Sequence, residues 1–396
     1  MSRAPLAGRP RRVLYNELNE DGTIGGSHQC LLDLLRRLDR SRFAPVVVFY
    51  QDNPCVERLR ALGAEVRVWE EERLRERVGS GPWRRARLVA AVAAAIARRA
   101  AFLRRERIDL LHLNNSPIAT CEDWLPAARV ARLPVITHCR AEVLEGDGRL
   151  RRWLAGRFDR VVAISRTVAD SLRRAGVPEK RIRLVYDGID VEALRERASG
   201  DPVSIRRALA VRDGEFLVVM VGHLRAWKGQ HVLLEALCRL DPGLLARTRA
   251  VVVGDVDHLH PSYSASLREA ADEPPLRDRV SFLGPRDDAP ALMSAADVLV
   301  HASTVPEPLG LVVLEGMALG KPVVASRLGG PSETMTPGSG LLFDPAHPEE
   351  LARHLEALAA DPALRRSLGE GGARRVGSFG IEANVRAVES LYEELL

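Results

Sequence analysis

The most informative stretch of this 396-residue chain is HASTVPEPLGLVVLEGMALGKPVVASRLGGPSETM, which occupies residues 301–335. It begins at the end of an apolar strand pattern, DVLVHAS, and passes through a loop that contains Glu307 and Pro308. An apolar run of about ten residues with helical periodicity follows, and Gly320 and Pro322 are typical helix-ending residues. Strand, loop and helix in this order predict one unit of a parallel sheet wrapped by helices.

Glu315 is the only charged residue of this predicted helix, whose other residues are apolar nearly all round. Such a helix is expected to be buried, and a buried carboxylate is costly unless donors satisfy it. The positions three and four residues later are Ala318 and Leu319, so no cation lies within helical reach. We therefore expect a ribose 2′,3′-diol to supply the donors. A distant arginine or backbone amides are the alternative.

The amides of Leu309, Gly310 and Leu311 open the same predicted helix. Unpaired N–H groups and the positive end of the helix dipole favour an anion there, and a diphosphate fits that chemistry. Gly310 would let the backbone approach the ligand closely. Glu307, just before the helix, would then lie near a sugar carried by the diphosphate.

Apolar strand patterns alternate with helical patterns along the whole chain, which predicts an α/β protein with two doubly wound domains. The first half contains RRVLYNEL, APVVVFY, AEVRVW, DLLHLNN, PVITHC, RVVAIS and IRLVYDG, and the second contains EFLVVMVGHL, AVVVGDV, RVSFLG, DVLVHAS, KPVVAS and GLLFD. The boundary is expected near residues 190–202, where a charged segment meets a Gly-Asp-Pro break. Ligands bind beyond the carboxyl ends of such strands, so we expect a cleft between two facing sheet edges.

Composition and cysteine spacing limit the class of protein. No window holds the run of about 20 apolar residues that a membrane-spanning helix needs. The basic start MSRAPLAGRPRR lacks the apolar stretch of a signal peptide. The five cysteines lie far apart and form no C-x-x-C pair, so neither a disulfide framework nor a zinc site is predicted. The expectation is a soluble, cytoplasmic protein.

Charge is unevenly placed along the chain. Residues 1–190 hold 36 Lys/Arg and 24 Asp/Glu, whereas the remainder holds 22 and 29. The basic half could attract anionic substrates. Its clusters at 98–107 and 149–160 could instead bind the inner membrane face, which would suit a lipid-linked acceptor. An arginine-rich surface without a ligand is the alternative. Nucleic acid is not expected as a partner, because no recognised module is present and the second half is acidic.

The quoted residues resemble a known family, the retaining GT-B glycosyltransferases of glycosyltransferase family 4, or glycosyl transferases group 1. The family's E-x7-E signature, EPFGLVxLEAMAxGxPVVAsxxGGxxE, matches the chain from Glu307 through Glu315 to Glu333. The resemblance implies the GT-B fold, with an acceptor-binding Rossmann-like domain at 1–195 and a nucleotide-sugar-binding one at 196–378. The tail at 379–396 resembles the family's closing helix, which packs back on the first domain.

A second match, VVMVGHLRAWKGQHVLLEAL at 218–237, is similar to the family's VGRLxxxKGxxxLLeA segment. There Lys228 would meet the diphosphate oxygens of the donor, since a departing nucleoside diphosphate needs fixed cations and amides when no metal is used. The chain has His223 where the family has arginine, and Arg225 two residues later, so either could assist. A solvated loop lysine is the alternative for Lys228.

Shorter matches implicate further donor contacts. RVSFLGPRDD at 279–288 is similar to the strand and loop in which Arg286 would border the base, and VVVGDV at 251–256 places Gly254 at another such loop. Gly25 and Gly26 would let a loop touch the transferred group, with a plain turn as the alternative. His138 matches a family histidine that contacts the donor sugar, with a structural histidine as the alternative.

Two further matches carry less information about chemistry. Ser165 in VVAISRTVADSL resembles a family loop serine, although its capping of the next helix alone could explain it. Asp187 in VYDGID replaces the asparagine of the family's NGxD segment. We expect that replacement to alter the linker's turn rather than catalysis.

The resemblance implies transfer of a hexosyl group from a UDP- or GDP-type sugar to an acceptor hydroxyl with retention of configuration, in bacterial glycan, glycolipid or natural-product synthesis. In this family the leaving phosphate is thought to take the acceptor's proton, so no carboxylate pair, metal or cofactor is expected, unlike in glycosidases. Glu307, His138, Lys228 and Arg225 would form the catalytic set. A GT-B-fold nucleotide-sugar epimerase and a non-catalytic nucleotide-sugar-binding subunit are the alternatives.

Overall fold

The computed structural model describes residues 9–17, 25–69, 83–115, 123–142, 153, 156–256 and 261–396. The chain forms two compact units, Met1–Gly188 with Ile381–Leu396, and Ile189–Gly380. The sequence indicated divisions after residues 195 and 378. Within the second unit the amide of Ile189 donates to the carbonyl of Phe379 at 2.8 Å, so this unit begins and ends at neighbouring points.

The first unit is built on a seven-stranded parallel sheet. Its strands are β1 Arg11–Asn16, β2 Phe43–Phe49, β3 Glu65–Val68, β4 Leu110–Leu113, β5 Val135–Cys139, β6 Arg160–Ala163 and β7 Ile182–Leu184. They lie in the order β3-β2-β1-β4-β5-β6-β7. Each strand was predicted from its apolar run. The order reverses between β1 and β4, which is where open α/β sheets bind ligands.

Helices flank this sheet. They are α1 Gly26–Arg37, α2 Pro54–Ala61, α3 Arg84–Arg105, α4 Trp124–Ala131 and α5 Arg166–Arg174, with a 3₁₀ turn at Glu179–Arg181. Parallel strands are covered on both faces, which accounts for the continuous apolar runs of the sequence. Val47, Val48 and Phe49 of β2, for example, are fully buried.

The second unit has a six-stranded parallel sheet of the same kind. Its strands are β8 Phe216–Val221, β9 Thr248–Val253, β10 Val280–Phe282, β11 Val298–His301, β12 Val323–Ser326 and β13 Leu341–Phe343. Their order, β10-β9-β8-β11-β12-β13, is that of the dinucleotide-binding fold. The reversal lies between β8 and β11, so the loops after these two strands meet at the ligand-binding edge.

The helices of the second unit complete its layers. They are α6 Val191–Arg197, α7 Pro202–Ala208, α8 Gln230–Leu237, α9 Pro242–Ala246, α10 Pro261–Asp272, α11 Ala289–Ala295, α12 Leu311–Ala318, α13 Pro331–Thr334, α14 Pro348–Ala360 and α15 Pro362–Val376. Two 3₁₀ turns, Ala226–Lys228 and Gly377–Phe379, lie among them. Aspartates cap several of these helices; the carboxylate of Asp361, for example, accepts from the amides of Ala363 and Leu364.

The last helix, α16 Ile381–Leu395, belongs to the first unit rather than the second. One of its faces joins the core of the first sheet through Ile381, Val385, Val388, Leu391 and Tyr392. The chain thus returns to the first sheet, where the family's closing helix is expected. Among the helices of the described ranges, none is long and apolar enough to cross a membrane.

Candidate functional site

An ion pair between Lys228 and Glu307 lies at the carboxyl edge of the second sheet. The Nζ atom of Lys228 is 3.0 Å from Oε1 and 2.9 Å from Oε2 of Glu307. Lys228 ends the 3₁₀ turn that follows β8, and Glu307 lies in the loop that follows β11. Because the strand order reverses between these two strands, the fold itself brings the two side chains together.

Backbone packing fixes the position of the lysine. Gly229 has φ +75°, and a Cβ atom there would lie 1.9 Å from the carbonyl oxygen of Ala302 at the end of β11. Only glycine fits such a contact, and it seats the Lys228 turn directly on the neighbouring strand end. The amide of Thr304 also donates to the carbonyl of Trp227 at 2.8 Å. The ammonium group of Lys228 lies 4.2 Å from the centre of the Trp227 ring, a cation–π contact.

Two side chains that no sequence motif indicated also bind Glu307. The hydroxyl of Ser303 donates to Oε2 at 2.7 Å, and Nε2 of His301 lies 3.2 Å from the same oxygen. Both are buried. Their place at the carboxyl end of an otherwise apolar strand was the signal that could have identified them. Oε1, in contrast, accepts only from Lys228 among the described residues, so it keeps capacity for a further donor.

Glu307 is held in its charged form. Burial by itself would raise the pKa of this carboxyl group, but the hydrogen bond with His301 and the positive charge of Lys228 outweigh burial. The pKa of Glu307 therefore lies well below its ordinary value. A carboxylate of this kind is a weak proton acceptor, and it is suited to orienting a ligand through hydrogen bonds.

The helix after Glu307 presents its N-terminus at the same edge. Gly310 caps α12 with φ +82°, and the helix runs for 8 residues rather than the predicted ten or so. No residue in the described ranges accepts from the backbone amides of Leu309, Gly310 and Leu311. These amides and the helix dipole favour the binding of an anion beside the ion pair.

Glu315 is half-buried, and the expectation that it is fully buried is wrong. The helix is not enclosed on all sides, because Leu311, Glu315 and Leu319 form a partly exposed stripe at four-residue spacing. Val313, Leu314 and Met317 on the opposite face are fully buried. A ligand can therefore reach Glu315 on the partly exposed face of α12. This face begins at the first turn of the helix, where the amides lie.

The remaining predicted donor contacts of the second unit lie on neighbouring loops. His223 and Arg225 follow β8, and both are half-buried. Gly254 follows β9, and a Cβ atom there would lie 2.0 Å from the carbonyl oxygen of Gly222, so this glycine also packs two loops together. Arg286 follows β10, where its guanidinium donates twice to Asp288 at 2.7 Å. The structure therefore groups Arg286 with Asp288, not with the ion pair.

A second polar cluster lies at the carboxyl edge of the first sheet. His138, within β5, is buried, and its Nδ1 atom is 2.6 Å from Nε2 of His112 on β4. Its Nε2 atom has no hydrogen-bond partner in the part of the chain that the structure describes. Burial is the largest reason why the pKa of His138 lies well below its ordinary value, and the charge of Arg140 adds to this effect. His138 is therefore neutral at physiological pH.

Next to the histidines lies a buried ion pair between Arg140 and Asp187. The guanidinium of Arg140 donates to both carboxylate oxygens of Asp187, at 2.9 and 2.8 Å, and to the side-chain oxygen of Asn114 at 2.9 Å. Asn114 in turn donates to Glu17, and Ser27 donates to the same carboxylate at 3.0 Å. Asp187 therefore does more than alter a turn, which is all that the sequence indicated.

The other predicted residues of the first unit have structural contacts. Gly25 precedes α1, and its amide donates to Nδ1 of His28 at 3.2 Å, while Gly26 is the exposed first residue of that helix. Residues 18–24, before this glycine pair, lie outside the described ranges. The hydroxyl of Ser165 accepts from the amide of Val168 at 3.1 Å and so caps α5.

The basic cluster at 98–107 is only partly a surface feature. Arg99 is buried and forms an ion pair with Asp123 at 2.9 Å, and its guanidinium packs against the rings of Trp69 and Trp124. Arg104 and Arg105 at the end of α3 are exposed. In the second cluster, at 149–160, three of the five arginines fall outside the described residues. Within the described ranges, His, Cys, Asp and Glu side chains form no group of three or more that could hold a metal ion.

Comparison with known proteins identifies the family of both units. Residues 203–375 match the family described as glycosyl transferases group 1, and residues 24–193 match glycosyltransferase family 4. This chain shares its fold with the Anabaena protein HepE, whose crystal structure is that of a complex with UDP and glucose. The TM-score is 0.81 and the sequence identity is 26%. That alignment covers 97% of this chain and 100% of HepE.

Two curated relatives extend the comparison. The D-inositol 3-phosphate glycosyltransferase of Salinispora arenicola is 34% identical over 247 residues, which are 60% of this chain and 55% of the relative. The chain thus spans about half the length of that protein. The lipopolysaccharide core biosynthesis mannosyltransferase LpsB of Rhizobium meliloti is 30% identical over 312 residues, which are 73% of this chain and 84% of LpsB. Sequence and structure therefore agree that the chain belongs to the glycosyl transferases group 1, glycosyltransferase family 4, and has the GT-B fold.

Proposed function

We propose that the protein transfers a hexosyl group from a nucleotide diphosphate sugar to an acceptor hydroxyl, with retention of configuration and without a metal ion. The observation that carries the proposal is the Lys228–Glu307 pair beside the open amides of Leu309, Gly310 and Leu311. A cation, a fixed carboxylate and a helix N-terminus within one loop cluster match the diphosphate and the sugar of such a donor.

The parts of the donor would be divided among these groups. The diphosphate would be bound by Lys228, by either Arg225 or His223, and by the first amides of α12. Oε1 of Glu307 would accept a hydrogen bond from a sugar hydroxyl. Glu315, on the partly exposed stripe of α12, would bind the ribose hydroxyls. Gly254 and Arg286 would border the nucleoside. In the first unit, His138 would contact the transferred sugar, and Gly25 and Gly26 would lie near it or the acceptor.

The proposed reaction needs no carboxylate that takes up a proton. The bond between the anomeric carbon and the diphosphate oxygen breaks, and the acceptor oxygen bonds to the same face of that carbon. The acceptor's proton goes to the departing phosphate oxygen. Glu307 suits this scheme because its pKa is held well below the ordinary value, so it stays charged and orients the sugar. The negative charge that grows on the diphosphate would be stabilised by Lys228 and the amides.

The relatives support a nucleotide-sugar donor. The crystal structure of HepE is that of a complex with UDP and glucose, and LpsB is named as a mannosyltransferase of lipopolysaccharide core biosynthesis. We accordingly propose a UDP- or GDP-type hexose donor and a role in bacterial glycan, glycolipid or natural-product synthesis.

A thermal-shift screen tests the donor assignment. UDP, GDP, ADP and dTDP are compared first, because a ligand that binds only the native state raises the melting temperature. The matching sugar donors are then incubated with and without acceptors, and the anomeric configuration of any product is read by NMR. Conversion of the donor without an acceptor would indicate an epimerase. Tight binding without any transfer or hydrolysis would indicate a binding subunit, and an inverted product would contradict retention.

We also propose that the first unit contacts anionic lipid, which would bring the enzyme to a lipid-linked acceptor at the inner membrane face. Arg104 and Arg105 are exposed at the end of α3, and Trp83 just before this helix is 73% exposed. Co-sedimentation with anionic vesicles should fall in high salt and in a variant with Arg104→Glu and Arg105→Glu. Arg366→Glu combined with Arg374→Glu, at exposed sites of the second unit, is the matched control. Equal sedimentation of all three proteins would contradict the proposal.

A further inference from the structure

Four buried polar side chains form a continuous line of hydrogen bonds within the first unit. The hydroxyl of Tyr392 on α16 lies 2.8 Å from that of Tyr15 on β1 and 2.5 Å from Nδ1 of His112 on β4. Nε2 of His112 lies 2.6 Å from Nδ1 of His138 on β5. Each of the four residues is at most 1% exposed. The line ends at Nε2 of His138, to which no described residue offers a partner.

The number of protons available along this line of hydrogen bonds determines which group donates and which accepts in each bond. The hydroxyl of Tyr392 donates its single proton to Tyr15, so it must accept from His112. Nδ1 of His112 therefore carries a proton. A neutral imidazole has one N–H group, so Nε2 of His112 accepts the bond from Nδ1 of His138. Nε2 of His138 is then left with a buried, unused lone pair.

The count requires both histidines to be neutral, and their surroundings favour this state. Burial lowers the pKa of His112 to about 3, and the positive charge of Arg140 acts in the same direction. The same two causes hold the pKa of His138 well below its ordinary value. Neither ring carries a charge at physiological pH.

We propose that Tyr392 and His112 are positioning residues that hold His138 in the Nδ1–H tautomer, so that its Nε2 accepts a hydrogen bond from a hydroxyl of the bound sugar. The inference rests on the proposed function, in which His138 contacts the donor sugar. It gives α16 a part in substrate recognition in addition to its packing in the core. It also predicts that His138 recognises a hydroxyl hydrogen rather than an oxygen lone pair.

The tautomer is measured directly by long-range ¹H–¹⁵N NMR of the histidine-labelled protein, with His138→Gln used to assign the signal. In the wild type we expect a protonated Nδ1 and an unprotonated Nε2 at His138. A protonated Nε2 would mean that Tyr15 donates to Tyr392 and the line runs in the opposite direction, which would overturn the proposal. This measurement needs neither a substrate nor a variant of Tyr392 or His112.

Tyr15→Phe provides the second test. Without the Tyr15 oxygen, the proton of Tyr392 loses its acceptor and turns to Nδ1 of His112, which reverses the line and moves the proton of His138 to Nε2. Tyr50→Phe is the matched control, because Tyr50 accepts a hydrogen bond from Trp124 at 2.5 Å in the same unit but has no bond to the histidines. An unchanged His138 signal in Tyr15→Phe would overturn the positioning role.

Kinetics link the tautomer to the substrate. Tyr15→Phe should lower kcat/KM for the sugar donor roughly three- to tenfold, the range of one hydrogen bond, with unchanged affinity for the nucleoside diphosphate alone. Unchanged kcat/KM in a protein whose tautomer has switched would overturn the substrate contact. If the spectra behave as expected but no donor is transferred, the proposed function fails while the tautomer assignment stands.

Discussion

Lys228 and Glu307 stand 79 positions apart in the chain, yet the ammonium group of one lies 2.9 Å from a carboxylate oxygen of the other. The side chain of Glu307 is 11% exposed and that of Lys228 is 20% exposed. Two charges so far removed from water stabilise one another only while both are present. The pair therefore links the stability of the second unit to the chemistry proposed for it.

Replacing Lys228 should lower both the stability of the second unit and its affinity for the donor. Lys228→Ala leaves a buried carboxylate without its cation, so we expect a loss of about 1–3 kcal/mol in the free energy of unfolding. Donor binding should fall as well, because the diphosphate loses a fixed cation. Urea denaturation and calorimetric titration with the nucleoside diphosphate measure the two effects. Lys180→Ala, at an exposed site of the first unit, is the control. Equal behaviour of the two variants would contradict the paired role.

The loss of stability caused by Glu307→Gln should depend on pH, and it should be larger at neutral than at acidic pH. The pKa of Glu307 is lower in the folded protein than in the unfolded chain, so its charge stabilises the fold above the unfolded value of about 4.3. That contribution is lost as the pH falls toward the folded pKa. The wild type should therefore exceed Glu307→Gln in unfolding free energy most at about pH 7, with a difference that shrinks below about pH 4. A difference that grows on acidification would disprove the assignment.

Glu315→Ala tests the ribose contact. Glu315 lies on the partly exposed stripe of α12, where a ligand can reach it, and the loss of hydrogen bonds to a charged group costs about 1.5–3 kcal/mol. We expect roughly a tenfold or greater loss of affinity for the nucleoside diphosphate. Glu370→Ala, at an exposed position of α15, is the control and should bind normally. Wild-type affinity in Glu315→Ala would remove the residue from the donor site.

Asp187→Asn restores the residue that the family has at this position, and it should nevertheless destabilise the protein. Arg140 and Asp187 are 7% and 2% exposed, so the arginine would lose the only carboxylate to which it donates among the described residues. We expect a loss of about 1–3 kcal/mol in unfolding free energy, since asparagine still offers one acceptor. Asp170→Asn breaks an exposed pair with Arg173 and should leave stability nearly unchanged. Equal effects of the two substitutions would contradict this account.

Removal of metal ions should leave transfer unchanged. In the proposed site Lys228 and the amides of α12 meet the charge of the leaving diphosphate, which is the task of a metal in other transferases. Initial rates are compared with and without a chelator, and with added magnesium or manganese. Loss of activity that a divalent cation restores would contradict metal independence.

The sequence alone determined the two α/β units and the strands of both sheets, and it predicted most of the residues that we propose for the donor site. These features depend on local patterns: apolar runs set by burial of the parallel sheets, and glycines and prolines that end helices. The 301–335 segment was decisive because strand, loop and helix N-terminus follow one another within it. Glu307, Glu315 and the amides near Gly310 could therefore be identified together.

Only the tertiary structure decided which of these groups are partners. Strand order brings the Lys228 loop to Glu307, and no local pattern encodes the neighbour of a given strand. Burial was misjudged for the same reason: periodicity shows that the α12 residues are apolar but not which face another element covers, so Glu315 was wrongly expected to be enclosed. The line from Tyr15 to His138 joins three strands and one helix that are distant in sequence. Contacts of this kind depend on the packing of the whole unit, which is why the sequence did not reveal them.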